Sequence, residues 1–583
     1  MRFRTSFHHR RVRTGGCLFG LLLLSLVIAS SSRAQSDVYV RWVNLLNPAK
    51  SFDRPAAMVV DGKGNTYVTG TTCVDNPCAD SESLVAKYDF NGTIVWKGYL
   101  SGFGSGSEHL ASGLKIGLDG AGNVYVLSVL NPNNSTIDIA LAKFSPAGIR
   151  QWVDFIGSTT SSIVNPGTLA VAPDGSTYIS YSASPNQSTV CNAFIRKYDM
   201  AGRLSWSHEV NPTTSDCNTI PFLGLDAAEN VYALFFNFFS SQIHSSEIVK
   251  FNSAGTELTS FGGSDLGTID AFRVDAHGNS YVAGGGSPQA PHGAEDRIVA
   301  KYDAAGTRQW IFDSPAALNA VPAPSGFVDL SLDSLGNVFA AQTIPGVNNA
   351  TNGGTDISII KFSATGTRDW TSRYNGRSDG SGNDKAVAVV VNSGGNAYIT
   401  GVSADPTRSC CFDQIVTIKY DPSGKTLWAQ RFRRAGLDIG SPVAIAISGG
   451  DLIVAGLTED GTASTVSDSA WTVIDYVQDA AKVSPTSLTF GSLPVRTQSS
   501  AQSVTLTNTA ETPLEITGID ITGDFQLIND CPATLAPGAS CTFKVTFTPT
   551  ATGTRTGSVT VHDNWSGSIS DPQTVKLTGT GVS

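Results

Sequence analysis

Asp61-Gly62-Lys63-Gly64-Asn65-Thr66-Tyr67-Val68 returns as Asp119-Gly120-Ala121-Gly122-Asn123-Val124-Tyr125-Val126. The same turn comes back at Asp275-Ala276-His277-Gly278-Asn279, Asp333-Ser334-Leu335-Gly336-Asn337 and Asn392-Ser393-Gly394-Gly395-Asn396, with looser copies starting at Asp174 and Asp226. An Asp that opens a tight turn accepts hydrogen bonds from backbone N–H groups two residues on. Gly then supplies a positive φ and Asn tolerates one, so D-x-x-G-N reads as hairpin chemistry. A calcium loop of the EF-hand kind also spaces Asp and Asn, but it needs alternating oxygen ligands and a distal Glu, which these stretches lack.

Each hairpin is followed by a second one that carries Trp. Examples are Ala86-Lys87-Tyr88-Asp89-Phe90-Asn91-Gly92-Thr93-Ile94-Val95-Trp96 and Lys419-Tyr420-Asp421-Pro422-Ser423-Gly424-Lys425-Thr426-Leu427-Trp428. The Trp position is filled by Trp96, Trp152, Trp206, Trp310, Trp370 and Trp428; in the fourth unit Thr259 stands there. The unit Lys falls at 87, 143, 197, 250, 301, 361 and 419, spacings of 51 to 60 residues. That period holds four strands and their loops, which is one blade of a β-propeller. The helical period is missing throughout. The fold class expected is therefore all-β: a β-propeller over residues 35–479, of eight four-stranded blades, or seven if one unit is degenerate or extruded.

A propeller must join its last blade to its first or leave an unpaired edge. The eighth unit has strands at Val443–Ser448, Asp451–Leu457 and Trp471–Tyr476 but no Trp-bearing fourth strand. A spare one, Val38-Tyr39-Val40-Arg41-Trp42-Val43, stands alone near the N-terminus, so it is expected to complete that blade. The first–second and third–fourth turns then share one end. The second–third connections share the other and are long and variable: Thr71–Leu84, Leu130–Ile139, Ser182–Asn192, Gly284–Asp296 and Gln342–Asp356. Variable loops on a rigid scaffold are where recognition usually resides.

The units resemble the SBBP-type β-propeller repeats of bacterial exported proteins, with D-x-x-G-N-x-Y-V-x-G followed by A-K-Y-D-x-x-G-x-x-x-W over roughly residues 38–476. The resemblance implies the fold and says little about activity. The D-x-x-G-x-x-x-W stretch also looks like the tryptophan-docking motif of PQQ-dependent dehydrogenases, where it is structural too. Without a cofactor-pocket signature, Trp42, Trp96, Trp152, Trp206, Trp310, Trp370 and Trp428 read as blade-packing residues. The seven Lys have two readings: a charged ring for an acidic ligand, or stems along the blade pairing with turn acids such as Asp61 and Asp119, which is favoured.

Near residue 480 the period changes. Residues 483–581 alternate strictly, as in Phe543/Val545/Phe547 and Val559/Val561, and about seven strands in about a hundred residues read as an Ig-like β-sandwich spanning 480–583. The run Leu535-Ala536-Pro537-Gly538-Ala539-Ser540-Cys541-Thr542-Phe543, with Leu577-Thr578-Gly579-Thr580-Gly581, resembles the bacterial choice-of-anchor D and ASPM/SPD-2/Hydin group of Ig-like domains. That resemblance implies a spacer or contact module.

Residues 1–34 read as a signal peptide: Arg2, Arg4, Arg10, Arg11 and Arg13, an apolar run from Leu18 to Ala29, then Ser32-Arg33-Ala34. A retained anchor is the rival reading. The segment takes six Arg and no acid with it, leaving 33 of the 39 basic residues against 49 acids, a net charge of −16. So acidic a chain repels nucleic acid and anionic membrane surfaces. An extracellular, cell-surface or periplasmic location and a monomer with no further membrane span are expected. Eight cysteines remain after cleavage, an even count that suits disulfides in an exported chain. Cys191 and Cys217 flank one hairpin, Cys73 and Cys78 share a loop, and Cys531 and Cys541 form a local pair. Cys410 and Cys411 lie in another loop, where a vicinal bridge would be strained.

No nucleophile with a base, paired carboxylates or metal-ligand spacing stands out, and the His residues are scattered. The expectation is therefore no cofactor, no metal and a secreted or surface binding or scaffold protein whose loop face takes a glycan or a protein. The alternative is a secreted carbohydrate-active hydrolase or lyase. Its carboxylates would meet at the central channel from different blades.

Overall fold

The structure, a computed structural model, describes residues 38–46, 53–73, 81–100, 110–131, 137–157, 161–185, 191–210, 218–239, 242–263, 265–286, 297–314, 326–346, 354–377, 382–405, 413–433, 439–448, 450–459, 469–478, 481–510, 513–563 and 573–583. The segment 1–34 lies outside them. The described residues form strands and turns and no helix, so none is long and apolar enough to cross a membrane.

The first sheet is a meander of Arg54–Val60, Thr66–Cys73, Ser81–Tyr88 and Ile94–Leu100, paired antiparallel in chain order. The same four-stranded order recurs over residues 110–156, 161–210, 219–261, 266–314, 327–374 and 385–432. The first and second sheets touch through one bridge, Ser81 to Leu110. In the third, the first strand is split into Ser161–Asn165 and Leu169–Val171, both on Thr177–Pro185. The strands run further into the second–third connections than the polar sequence there suggested. Thr66–Cys73 and Ser81–Tyr88, for instance, leave only residues 74–80 between them, because backbone pairing continues where apolar alternation has stopped.

The eighth sheet takes three strands from the end of the repeat, Ile439–Ser448, Asp451–Glu459 and Ser469–Gln478, and its fourth from Val38–Leu46. That strand pairs antiparallel from Val38 opposite Gln478 to Leu46 opposite Trp471.

Turn chemistry explains why the meander repeats. Asp61 Oδ1 accepts the backbone N–H groups of Lys63 and Asn65, both at 2.9 Å. Its Oδ2 accepts Asn65 Nδ2 at 2.7 Å and the Tyr67 hydroxyl at 3.1 Å. Gly64 closes the turn at φ 82°. Asp119 and Asp275 build the same cage. So does Asp226, despite its looser sequence; there Glu229 takes the Gly place at φ 58°.

Buried clusters straddle the sheets in succession. Tyr67 and Val85 of the first pack with Val124 and Phe144 of the second, and equivalent clusters join each later sheet to the next. Tyr398 and Ile415 of the seventh meet Val454 and Tyr476 of the eighth. Leu46, Ile453 and Trp471 of the eighth meet Val68, Leu84 and Tyr88 of the first, so the succession returns to its start.

Residues 481–582 form two further sheets around one core that includes Phe490, Phe543, Phe547, Val559 and Leu577. One runs Ala481–Ser484, Gln502–Asn508, Ser540–Phe547, Phe525–Asn529. The other runs Ser487–Pro494, Gln573–Val582, Gly553–Asp563, Leu514–Ile521, Thr534–Leu535, its first pair parallel. Nine strands stand where alternation suggested about seven, because strands of two and four residues are too short to register a period.

Candidate functional site

Each sheet hands its fourth strand to the next through a common joint. Trp96 sits opposite Lys87 in its own sheet, and its Nε1 donates to the Pro146 carbonyl of the second sheet's turn at 3.0 Å. Lys87 Nζ reaches the same carbonyl at 3.5 Å and lies 5.2 Å from the centre of the Tyr67 ring. Trp152 with Lys143 on Met200, and Trp206 with Lys197 on Ser253, repeat the double donation. The Trp ring rests on the turn Gly of the next sheet. A Cβ on Gly148 would stand 2.6 Å from Trp96, one on Gly366 2.5 Å from Trp310 and one on Gly424 2.6 Å from Trp370. Those glycines also hold φ of 81°, 86° and 86°. Trp42 does the same on Gly92 and donates to the Phe90 carbonyl at 3.0 Å, and Trp428 packs on Tyr476.

These contacts decide between the two readings of the Lys series. The ammonium groups are spent inside the joint: Lys143 stands 3.9 Å from Asp119 and Lys250 3.8 Å from Asp226, each over a Tyr ring. Lys87 turns to Pro146 rather than to Asp61, whose carboxylate is occupied by Asn65 and Tyr67. In the fourth sheet Thr259 does pair with Lys250, as Trp would. The ring that packs forward there is Phe261, two residues on, lying on Gly306 and 5.3 Å from Tyr302. An aromatic displaced by two residues keeps its side of the strand, and that spacing was the available signal.

The first strands of the sheets carry charges whose role the sequence does not announce. Asp329 of the sixth sheet accepts Arg273 of the fifth, the Val389 N–H of the seventh at 3.0 Å and the Leu330 N–H at 2.9 Å. One carboxylate thus ties three sheets, and burial nonetheless holds its pKa above the ordinary range. Lys115 stands at the equivalent position of the second sheet, four residues before the turn Asp. Surrounding protein lowers its pKa, and Arg273 adds to this. Asp270, at a bulge in the fifth sheet's first strand, is pushed up to about 6 by burial against the opposing pull of Arg297, 4.0 Å away. Ala57, Thr168, Phe222, Ala271, Ala388 and Ala444 occupy the register of Lys115 and Asp329 elsewhere, so a charge at an otherwise uncharged register was the missed signal.

A cavity of about 330 Å³ opens between the third and fourth sheets. Phe235, Val249 and Phe251 form its apolar side, and His208, Glu247, Glu257 and Ser260 border it. The His208 ring lies 4.8 Å from that of Phe251. Among the described residues neither Glu247 nor Glu257 has an ion-pair partner.

Cys531 and Cys541 are disulfide-linked, 10 residues apart. Cys73 and Cys191 are each disulfide-bonded, while Cys78, Cys217, Cys410 and Cys411 lie outside the described residues. So do most of the long connections, residues 74–80, 132–136, 186–190, 287–296 and 347–353. Among the described residues no three His, Cys, Asp or Glu gather as metal ligands.

Residues 480–582 match the family model of Cep192 domain 4. The match covers the C-terminal module. Among solved structures, the PapD-like domain 7 of human CEP192 is similar at 13% identity, over 18% of this chain and 85% of that one, with a TM-score of 0.14. The WD40 domain of SCAP from fission yeast is similar at 9% identity, over 75% of this chain and 94% of that one, with a TM-score of 0.39. The extracellular domain of a hybrid two-component system from B. thetaiotaomicron is similar at 12% identity, over 90% of this chain and 72% of that one, with a TM-score of 0.27. No curated protein matches this chain.

Proposed function

We propose that this chain is an exported, non-enzymatic binding or scaffold protein. Its SBBP-type repeats form a closed eight-bladed β-propeller, and an Ig-like module of the choice-of-anchor D kind serves as spacer or contact domain. The propeller reading is supported by the interleaved cores, which run from sheet to sheet and back to the first, and by Val38–Leu46 filling the eighth sheet. The observation that carries the binding role is the contrast between the two ends. At the hairpin end the Asp, Lys, Trp and Gly of nearly every unit are consumed by the same joint, which makes a stiff frame. At the other end the connections differ in length and sequence from unit to unit, the arrangement by which a rigid scaffold presents recognition loops. The ligand proposed for that face is a glycan or a protein on or outside the cell.

The test pairs a glycan array with a polysaccharide turnover assay on the secreted protein, whose N-terminus is expected at Gln35 after loss of residues 1–34. Saturable capture of a ligand without release of product is the expected result. Turnover that disappears in Asp270→Asn, a single change at an inner strand, would replace this reading with that of a carbohydrate-active enzyme.

A further inference from the structure

From the arrangement of the first strands we infer a further binding site, for a small, doubly charged, phosphate-like oxyanion held between Lys115 and Arg273. The first strand of each sheet lies against the first strand of the next, and Ile439–Ser448 of the eighth lies against Arg54–Val60 of the first. These strands therefore form a ring around one axis. Lys115 stands on Leu110–Leu118 of the second sheet and Arg273 on Leu266–Val274 of the fifth. Their sheets are not neighbours, yet the Arg273 charge is near enough to act on the Lys115 ammonium, so the two cations face each other across the enclosed space. Both side chains are exposed to solvent, which reaches them there.

The charges of the ring are not balanced. Arg273 pairs with Asp329 on Phe327–Leu332 of the sixth sheet, but that carboxylate also accepts the backbone N–H groups of Leu330 and Val389. Asp270, the remaining acid on the first strands, lies 4.0 Å from Arg297 on the third strand of its own sheet. Lys115 makes no hydrogen bond or ion pair among the described residues. Arg54 and Lys385, exposed at the starts of their strands, add two more cations. The whole chain carries 39 Lys and Arg against 49 Asp and Glu, so the ring reverses the sign of the protein. Surrounding protein and the nearby guanidinium both lower the Lys115 pKa, as befits a cation that lacks a counter-charge. Low-dielectric walls of one sign concentrate ions of the other. An ammonium and a guanidinium on opposite sides offer N–H donors from two directions, which suits an oxyanion carrying two charges. The inference is independent of what the loop face binds, because it uses the first strands alone.

The test is a calorimetric titration of the full chain with inorganic phosphate, at an ionic strength held constant with sodium chloride. A second arm with glucose 6-phosphate distinguishes a free oxyanion from one carried on a sugar, and glucose is the uncharged control. Saturable binding of one or both phosphates, and none of glucose, is expected. Lys115→Met should weaken it about tenfold, and Lys115→Arg should keep it. Lys63→Met, in an exposed turn, changes the net charge equally and should leave binding unchanged. Without the anion, Lys115→Met should unfold at the same temperature as the unsubstituted protein or higher, because it relieves repulsion from Arg273. No saturation with either phosphate, equal binding of glucose, equal weakening by Lys63→Met, or a lowered thermal midpoint in Lys115→Met would each overturn the inference.

Discussion

Arg41 on the N-terminal strand binds Asp475 on the strand beside it, Nε to Oδ2 at 2.7 Å, and reaches Asp451 on the next strand at 2.7 Å. The arrangement inverts the one in the sixth sheet. Across the sheets the residue before the Trp is a bulge, skipped in the pairing; in the sixth that residue is Asp369, 3.5 Å from Lys361 on the third strand. In the eighth the bulge carries the cation and the third strand the acid. Arg41 also takes over the Lys contact to the turn ahead, at the Phe90 carbonyl, 3.4 Å away. A strand with Arg at its bulge is matched by the sheet with Asp475, where the third strands of the seven other sheets carry Lys.

Arg41→Ala should therefore be severe. Asp475 is fully buried and Asp451 nearly so, and removing their shared partner leaves two uncompensated carboxylates. The expected loss is about 3–5 kcal/mol of unfolding free energy, measured by denaturant titration. Adding Asp475→Asn to Arg41→Ala should restore part of that loss, and additive effects of the two changes would argue against coupling through this pair.

The same pair sets a pH dependence. Burial pushes Asp475 up to about 7, with Asp451 adding to the rise, and Asp451 to about 6 against the pull of Arg41. Both lie above the ordinary 3.8, so the folded state holds protons that the unfolded chain has released. Stability from these groups is full below 3.8 and is lost as pH rises through 6 to 7. The thermal midpoint should fall between about pH 5 and pH 8, and Asp475→Asn should flatten that slope. A midpoint that rises over this interval would contradict the assignment.

Gly366→Ala should cost about 2–4 kcal/mol, the sum of a left-handed backbone penalty and overpacking. The added methyl would meet Trp310 at 2.5 Å while the backbone is held at φ 86°. Trp310→Ala should cost about 3–5 kcal/mol by leaving a hole between the fifth and sixth sheets. In the double variant the overpacking is relieved, so the combined loss should be smaller than the sum, as chemical denaturation would reveal.

Glu229→Gly should stabilise, by up to about 1 kcal/mol, because a non-Gly residue in the left-handed region is strained there. Glu229 is that residue at φ 58°, in a turn whose counterparts carry Gly at 79° and 83°. A lowered unfolding midpoint would mean that the Glu229 side chain contributes something its backbone strain conceals.

Much of the frame is readable from the chain because its chemistry is local. The Asp cage at Asp61 or Asp275 closes within seven residues, so composition and spacing announce it. Trp42, standing outside any complete unit, marks Val38–Leu46 as a strand in want of a sheet. The alternation of Phe543, Val545 and Phe547 announces a buried face in the C-terminal module in the same way.

What only the tertiary structure decided lies between sheets. Phe261 replacing a missing Trp, Arg41 exchanging charge with the Lys register and Asp329 tying the first strands of three sheets all depend on neighbours some forty to more than four hundred residues away. By itself the sequence determined the recurring turns and the strands beside them, whose hydrogen bonds are made within one unit. It left to packing which side chain meets which across a seam, because facing residues there are set by strand register and bulges and not by separation along the chain.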